Sequence, residues 1–230
     1  GKKNTLTIRV DNSIDRDIIP SQKADFFIYG GIIRDLWLKI IPAEHMDNIK
    51  VSTPVVNKNS AQTKVELKLK NLHHQEKAYQ IKYSLVEKVS KKIIVESEQV
   101  ISGSQAVSVS VLPDVIAPLL WSPDAPNLYI LNIKLFKKGK LIDEVDETIG
   151  YRWYHFDDHG PFYLNGERLL LRGTHLHEDH AGFGAAMTDE LRRKDVEMIK
   201  EMGANFLRLA HYPQDPEVYK ACDELGLIVW

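Results

Sequence analysis

NFLRLAHYPQDPEVYKACDELGLIVW, residues 205–230, is the stretch on which the fold turns. Asn205 to Ala210 is an apolar run of strand length. Asp215 followed by Pro216 opens a helix, because a cap carboxylate accepts a backbone N–H and proline at the first helical position has none to leave unpaired. Gly226 stops that helix, and Leu227-Ile-Val-Trp230 begins a further strand. Upstream, Leu169-Leu170-Leu171 reads as a strand, Thr188 caps a helix running to about Met202, and Gly203 ends it. The periodicity gives that helix an inward stripe of Leu191, Ile199 and Met202 with Met198 beside it, and turns Arg192, Arg193, Glu197 and Glu201 to water. Apolar strands separated by helices predict a parallel sheet covered on both faces. Roughly two strand-helix units stand where a closed barrel needs about eight and an open parallel sheet about five, so residues 150–230 are expected to begin such a sheet without completing it. The chain then reads as an interior piece of a larger protein.

Before this region the grammar is all β. Asn165-Gly166, between Phe162-Tyr-Leu164 and Leu169-Leu-Leu171, is a two-residue hairpin signal. Residues 45–149 alternate apolar and polar through 65–69, 79–86, 107–112 and 129–136, which suits an immunoglobulin-like β-sandwich. Lys91-Lys92 and Lys137-Lys138 read as solvated hairpin tips, and the Cys…Trp…Cys pattern of antibody domains is absent. In residues 1–44, strands are expected over about 6–10 and 32–41, where Pro42 closes the second. Two strands cannot bury a core, so this part reads as the tail of a β-domain.

The chain has 230 residues, 43% apolar and 27% charged, and its 30 basic against 32 acidic side chains leave a net charge of -2. That balance excludes disorder and coiled coil, and it offers no electrostatic footprint for nucleic acid or an anionic membrane. No stretch has the roughly 18–20 apolar residues of a membrane span. A single cysteine, Cys222, rules out an internal disulfide framework.

Two polar clusters carry chemistry, each at the end of a barrel-like strand, where the active sites of parallel barrels lie. The first is Arg172-Gly-Thr-His175-Leu-His177-Glu178-Asp-His180. Alternation puts His175 and His177 on one face and Arg172, Thr174 and Glu178 on the other. His175 and His177 could open a metal-dependent hydrolase site, or the segment could be a histidine-rich loop. In the second cluster Arg208 lies within the strand and His211 at its mouth; a buried guanidinium calls for a carboxylate partner.

These motifs resemble glycoside hydrolase family 2, the group of β-galactosidases, β-glucuronidases and β-mannosidases. The resemblance rests on 205–213 together with Tyr219, Cys222-Asp223 and 226–230; on 162–173 with His177-Glu178; on 121–129 in the sandwich; and on Asp25-Phe-Phe-Ile-Tyr29-Gly-Gly-Ile-Ile-Arg34, which is similar to the end of the family's amino-terminal jelly roll. It implies three parts: residues 1–44 end a jelly-roll sugar-binding domain, 45–149 form the sandwich, and 150–230 supply the first two to three β/α units of a TIM barrel. It further implies a retaining β-glycosidase, β-galactosidase ranked before β-glucuronidase, with an acid/base and a nucleophile glutamate on later strands. By the same resemblance Asp25, His177 and His211 bind substrate, Arg208 orients the nucleophile, His175 lines the pocket, and Glu178 is neither acid nor nucleophile. The segment by itself is then catalytically silent. The partner implied is a carbohydrate; homo-oligomerisation is left open, no cofactor is required, and the parent has room for a structural or activating metal ion. A non-catalytic carbohydrate-binding scaffold is the reading outside enzymes.

Overall fold

A computed structural model describes residues 3, 5–18, 24, 26–73 and 79–230. Nine strands make the sandwich: β1 (His45–Ser52), β2 (Ser60–Ala61), β3 (Lys64–Lys70), β4 (Tyr79–Glu87), β5 (Ile93–Ile101), β6 (Val107–Val111), β7 (Val115–Ile116), β8 (Tyr129–Lys137) and β9 (Lys140–Ile149). They form an antiparallel sheet ordered β1-β3-β6, a facing sheet ordered β5-β4-β8-β9, and the small β2-β7 pair. The two-residue alternation does the work: Val65, Leu67 and Leu69 from one sheet meet Ile81, Tyr83, Leu85, Leu131, Ile133 and Leu135 from the other, all buried. Each such side chain contributes roughly 1.5–3 kcal/mol by leaving water. All four strands read from alternation are present. Lys91 (φ 59°) and Lys138 (φ 51°) sit in the turns of their hairpins, as the lysine pairs suggested.

Among the described residues of 1–44 there is no strand, so the two strands expected there are not formed. Their apolar side chains lie exposed instead, Leu6 at 75%, Trp37 at 80% and Leu38 at 92%. Alternation marks which face of a strand would be buried; the strand itself needs a neighbouring backbone to pair its N–H and C=O groups, and none of the described residues supplies one here.

The chain then enters a short antiparallel sheet of β10 (Tyr154–Phe156), β11 (Phe162–Leu164) and β12 (Glu167–Arg168). Asn165 and Gly166 both have positive φ, 54° and 82°, as the tight hairpin requires. The hairpin's returning strand is Glu167–Arg168, and 169–171 is not a strand as had been expected; the first parallel strand starts later, at Gly173. From there β13 (Gly173–Leu176), α1 (Asp189–Glu201), β14 (Phe206–Leu209), α2 (Pro216–Leu225) and β15 (Ile228–Val229) follow in alternation. The sheet is parallel, ordered β13-β14-β15, with His175 opposite Arg208 and Phe206 opposite Ile228. This is the opening of a (β/α) barrel.

Both helices have the caps read from sequence. Thr188 accepts the N–H of Leu191, Asp215 accepts that of Glu217 ahead of Pro216, and Gly226 closes α2 at φ 77°. The inward face of α1 departs from the expected stripe except at Ile199, which packs against the barrel core. Its buried residues are Arg192 and Val196, whereas Met202 is 65% exposed. Arg192 turns inward because three carboxylates, Glu178, Asp189 and Asp215, converge on its guanidinium.

The barrel rests on the sandwich through Trp121, which is 1% exposed. Its indole N–H donates to the Asp223 carbonyl at 2.8 Å, and Arg152 lies over its ring at 4.4 Å. Lys200 from α1 donates to the Pro123 carbonyl at 2.8 Å.

Candidate active site

The parallel strands deliver their polar side chains to one end. His177 follows β13 and His211 follows β14, and their rings stand 5.3 Å apart, nearly perpendicular. The Ala210–His211 peptide bond is cis. Beneath them Gln214, buried at 3% exposure, donates to the carbonyls of Leu176 and Ala210, tying the two strand ends together.

Arg208 donates from Nη2 to Nδ1 of His211 at 3.1 Å. A guanidinium has donors and no acceptor, so this bond makes Nδ1 the acceptor and puts the proton of a neutral His211 on Nε2. The carboxylate partner expected for Arg208 is not found among the described residues; the guanidinium is half-buried and lies 5.6 Å over the Trp230 ring. His175 is exposed, its ring 6.1 Å from that of His177. Among the described residues no group of three His, Cys, Asp or Glu side chains is placed to hold a metal ion. Asp25 lies outside the described residues.

Glu178 does point away from the histidines. It is 4% exposed and fully engaged: Oε1 accepts from Arg192 Nε at 3.2 Å and from the Asp215 backbone N–H at 2.9 Å, and Oε2 accepts from Arg34 Nη2 at 2.6 Å. Its own N–H donates to the Tyr212 hydroxyl at 3.1 Å, and burial pushes the Tyr212 phenol up from its usual range.

Sequence reasoning missed the aromatic half of the site. The ring of Phe26 lies 5.4 Å from His177, 5.9 Å from His211 and 5.4 Å from Tyr212. Tyr29 donates to Asp179 at 2.9 Å, which pushes its own ionisation up. Phe26, Phe27, Tyr29, His177, Glu178, Asp179 and Tyr212 border a cavity of about 510 Å³. A signal was present, since 25–34 and 177–179 belong to motifs already singled out, but nothing local says that segments about 150 residues apart will meet.

An immunoglobulin-like sandwich feeding a parallel barrel, with imidazoles and aromatic rings gathered at the carboxyl ends of the strands, defines a two-part architecture whose candidate site lies at the barrel mouth. Residues 44–152 match the family described as "Glycosyl hydrolases family 2", and 157–230 match "Glycosyl hydrolases family 2, TIM barrel domain". The chain belongs to glycosyl hydrolase family 2.

It is similar to a putative β-glucuronidase of Formosa agariphila, 49% identical over 228 residues that make up 99% of this chain and 27% of that protein. A β-galactosidase of Thermoanaerobacter pseudethanolicus is 31% identical over 99% of this chain and 30% of its own length. Among solved structures, a Bacteroides uniformis β-glucuronidase superposes with a TM-score of 0.89 at 32% identity, covering 96% of this chain and 27% of that one. The chain thus spans about a third or less of these relatives.

Proposed function

We propose that this chain is part of a retaining β-glycosidase and forms one wall of its sugar-binding site. The observation that carries the reading is the meeting of His177, His211, Tyr212 and Phe26 at the mouth of the parallel strands. Imidazoles there can hydrogen-bond sugar hydroxyls, and aromatic faces can pack against a pyranose ring. Bonds of this kind speed the reaction to the extent that they tighten as the ring flattens toward the oxocarbenium-like transition state.

In this reading His177 and His211 hold hydroxyls, Asp25 adds a further bond, and Arg208 orients both His211 and the nucleophile. Glu178 is committed to Arg34, Arg192 and Asp215, which leaves it no role as acid or nucleophile. The two glutamates that retention requires come from further strands of the barrel. Relatives named β-glucuronidase, one of them 49% identical, support a glucuronide ahead of a galactoside, which reverses the ranking taken from sequence.

Nitrophenyl β-glucuronide and β-galactoside assays on the full-length gene product test this. Hydrolysis of the glucuronide is expected, with none by residues 1–230 alone. His211→Ala should lower kcat/KM by roughly 100-fold or more, the size of losing a transition-state hydrogen bond together with its oriented donor. Turnover by residues 1–230, or none by the full-length protein with either glycoside, would overturn the reading.

A further inference from the structure

Glu178 and Asp179 are consecutive, and both are occupied by the segment that runs from Phe26 to Arg34. Arg34 Nη2 bonds Glu178 Oε2 at 2.6 Å and also the Pro213 carbonyl at 2.5 Å, so one guanidinium joins the ends of both parallel strands. Five residues earlier Tyr29 bonds Asp179 at 2.9 Å. The Tyr29 ring lies against Gly184, where an added Cβ would come within 2.9 Å of it. Farther along, Phe26 rests on His177, His211 and Tyr212.

Glu178 is itself held from beneath by Arg192 and the Asp215 N–H, so the anchor is fixed before Arg34 reaches it. Glu178 is buried while Arg34 is 36% exposed, so removing Arg34 leaves Oε2 of a buried carboxylate without its charged donor. We propose that Arg34 and Glu178 are a positioning pair that straps residues 26–34 over the barrel mouth, and that this strap sets the aromatic wall of the sugar pocket. Glu178 borders the pocket, but its carboxylate oxygens are taken by Arg34, Arg192 and the Asp215 N–H. The proposal rests on the glycosidase reading for what the pocket binds, and on the contacts alone for the strap.

The distinguishing prediction is a split between KM and kcat. In the full-length gene product Arg34→Gln should raise KM for the preferred nitrophenyl glycoside by about tenfold, while kcat changes less than about threefold, because His177, His211 and the chemistry are untouched. Arg34→Lys, which keeps a cationic donor on a long side chain, should recover most of the loss. Independently of activity, peptides covering 26–36 should exchange amide hydrogens faster in Arg34→Gln, with the sandwich peptides unchanged.

An unchanged KM overturns the proposal, as does equal loss in both variants accompanied by a fall in thermal midpoint, which would mark a merely structural arginine. If the unsubstituted protein cleaves no glycoside, the glycosidase reading fails and the exchange data decide the strap. Faster exchange then upholds it, and unchanged exchange ends it.

Discussion

Tyr151 carries its hydroxyl into the sandwich core, 2.5 Å from the hydroxyl of Thr63, itself 1% exposed. Burial pushes the phenol up to about 12 from an ordinary 10.0. Between those values the unfolded chain has released a proton that the folded chain still holds. The contribution is therefore complete below pH 10 and is lost as pH rises toward 12, by roughly 2–3 kcal/mol over the interval. Cys222, buried and pushed from 9.0 to about 12, acts in the same direction. Tyr151→Phe should cost about 1–3 kcal/mol at pH 7, since the Thr63 hydroxyl loses its partner, and should flatten the decline above pH 10. Urea midpoints at both pH values check this, and an unaltered alkaline slope would show that another group carries it. At this scale sequence is a partial guide. His177 and His211 were legible because each closes a strand. Arg192 was not, because a guanidinium on a helix reads as solvent-facing until Glu178, Asp189 and Asp215 are known to surround it.

Elements whose signals are local were readable throughout. Asn165-Gly166 needs no partner to favour its turn, and Thr188, Asp215-Pro216 and Gly226 define helix ends within four residues of chain. The strands misplaced at 6–10, 32–41 and 169–171 are those whose existence depends on a distant backbone. Two glycines show how tightly the formed elements approach. A Cβ at Gly173 would stand 1.9 Å from the Phe206 carbonyl, inside the β13–β14 ladder. At Gly226 it would stand 2.4 Å from the Pro123 carbonyl, at a φ of +77°. Gly226→Ala therefore combines left-handed strain of about 1–3 kcal/mol with a clash between barrel and sandwich. Gly173→Ala forces the first two barrel strands apart. Both should lower the thermal midpoint well beyond Gly139→Ala in the β8–β9 turn, where nothing lies within 4 Å and the cost is conformational alone. Equal effects at all three positions would discount the close approaches.

For the whole molecule the parallel sheet sets the behaviour. Its three strands leave the outer edges of β13 and β15 without a strand neighbour among the described residues. Beside them Phe156, Phe162, Leu164, Phe206, Ile228 and Trp230 border an apolar cavity of about 490 Å³, with Trp230 76% and Phe156 60% exposed. On the sandwich the inner faces of the two sheets close on each other, and the cavity of about 750 Å³ on the outer face of β4, β5 and β8 is lined mainly by polar side chains such as Lys82, Glu96, Glu98, Asn132 and Lys134. Unpaired edges next to uncovered apolar surface template association with another copy. Residues 1–230 should therefore self-associate with rising concentration, measurable by sedimentation velocity between about 1 and 100 µM. Placing charge at the opening with Trp230→Glu and Phe156→Glu should move the distribution toward monomer, whereas Val89→Glu on the β4–β5 turn, also exposed at 85%, should not. A monomer across the whole range, or an equal response to all three substitutions, would mean that the barrel edge does not drive association.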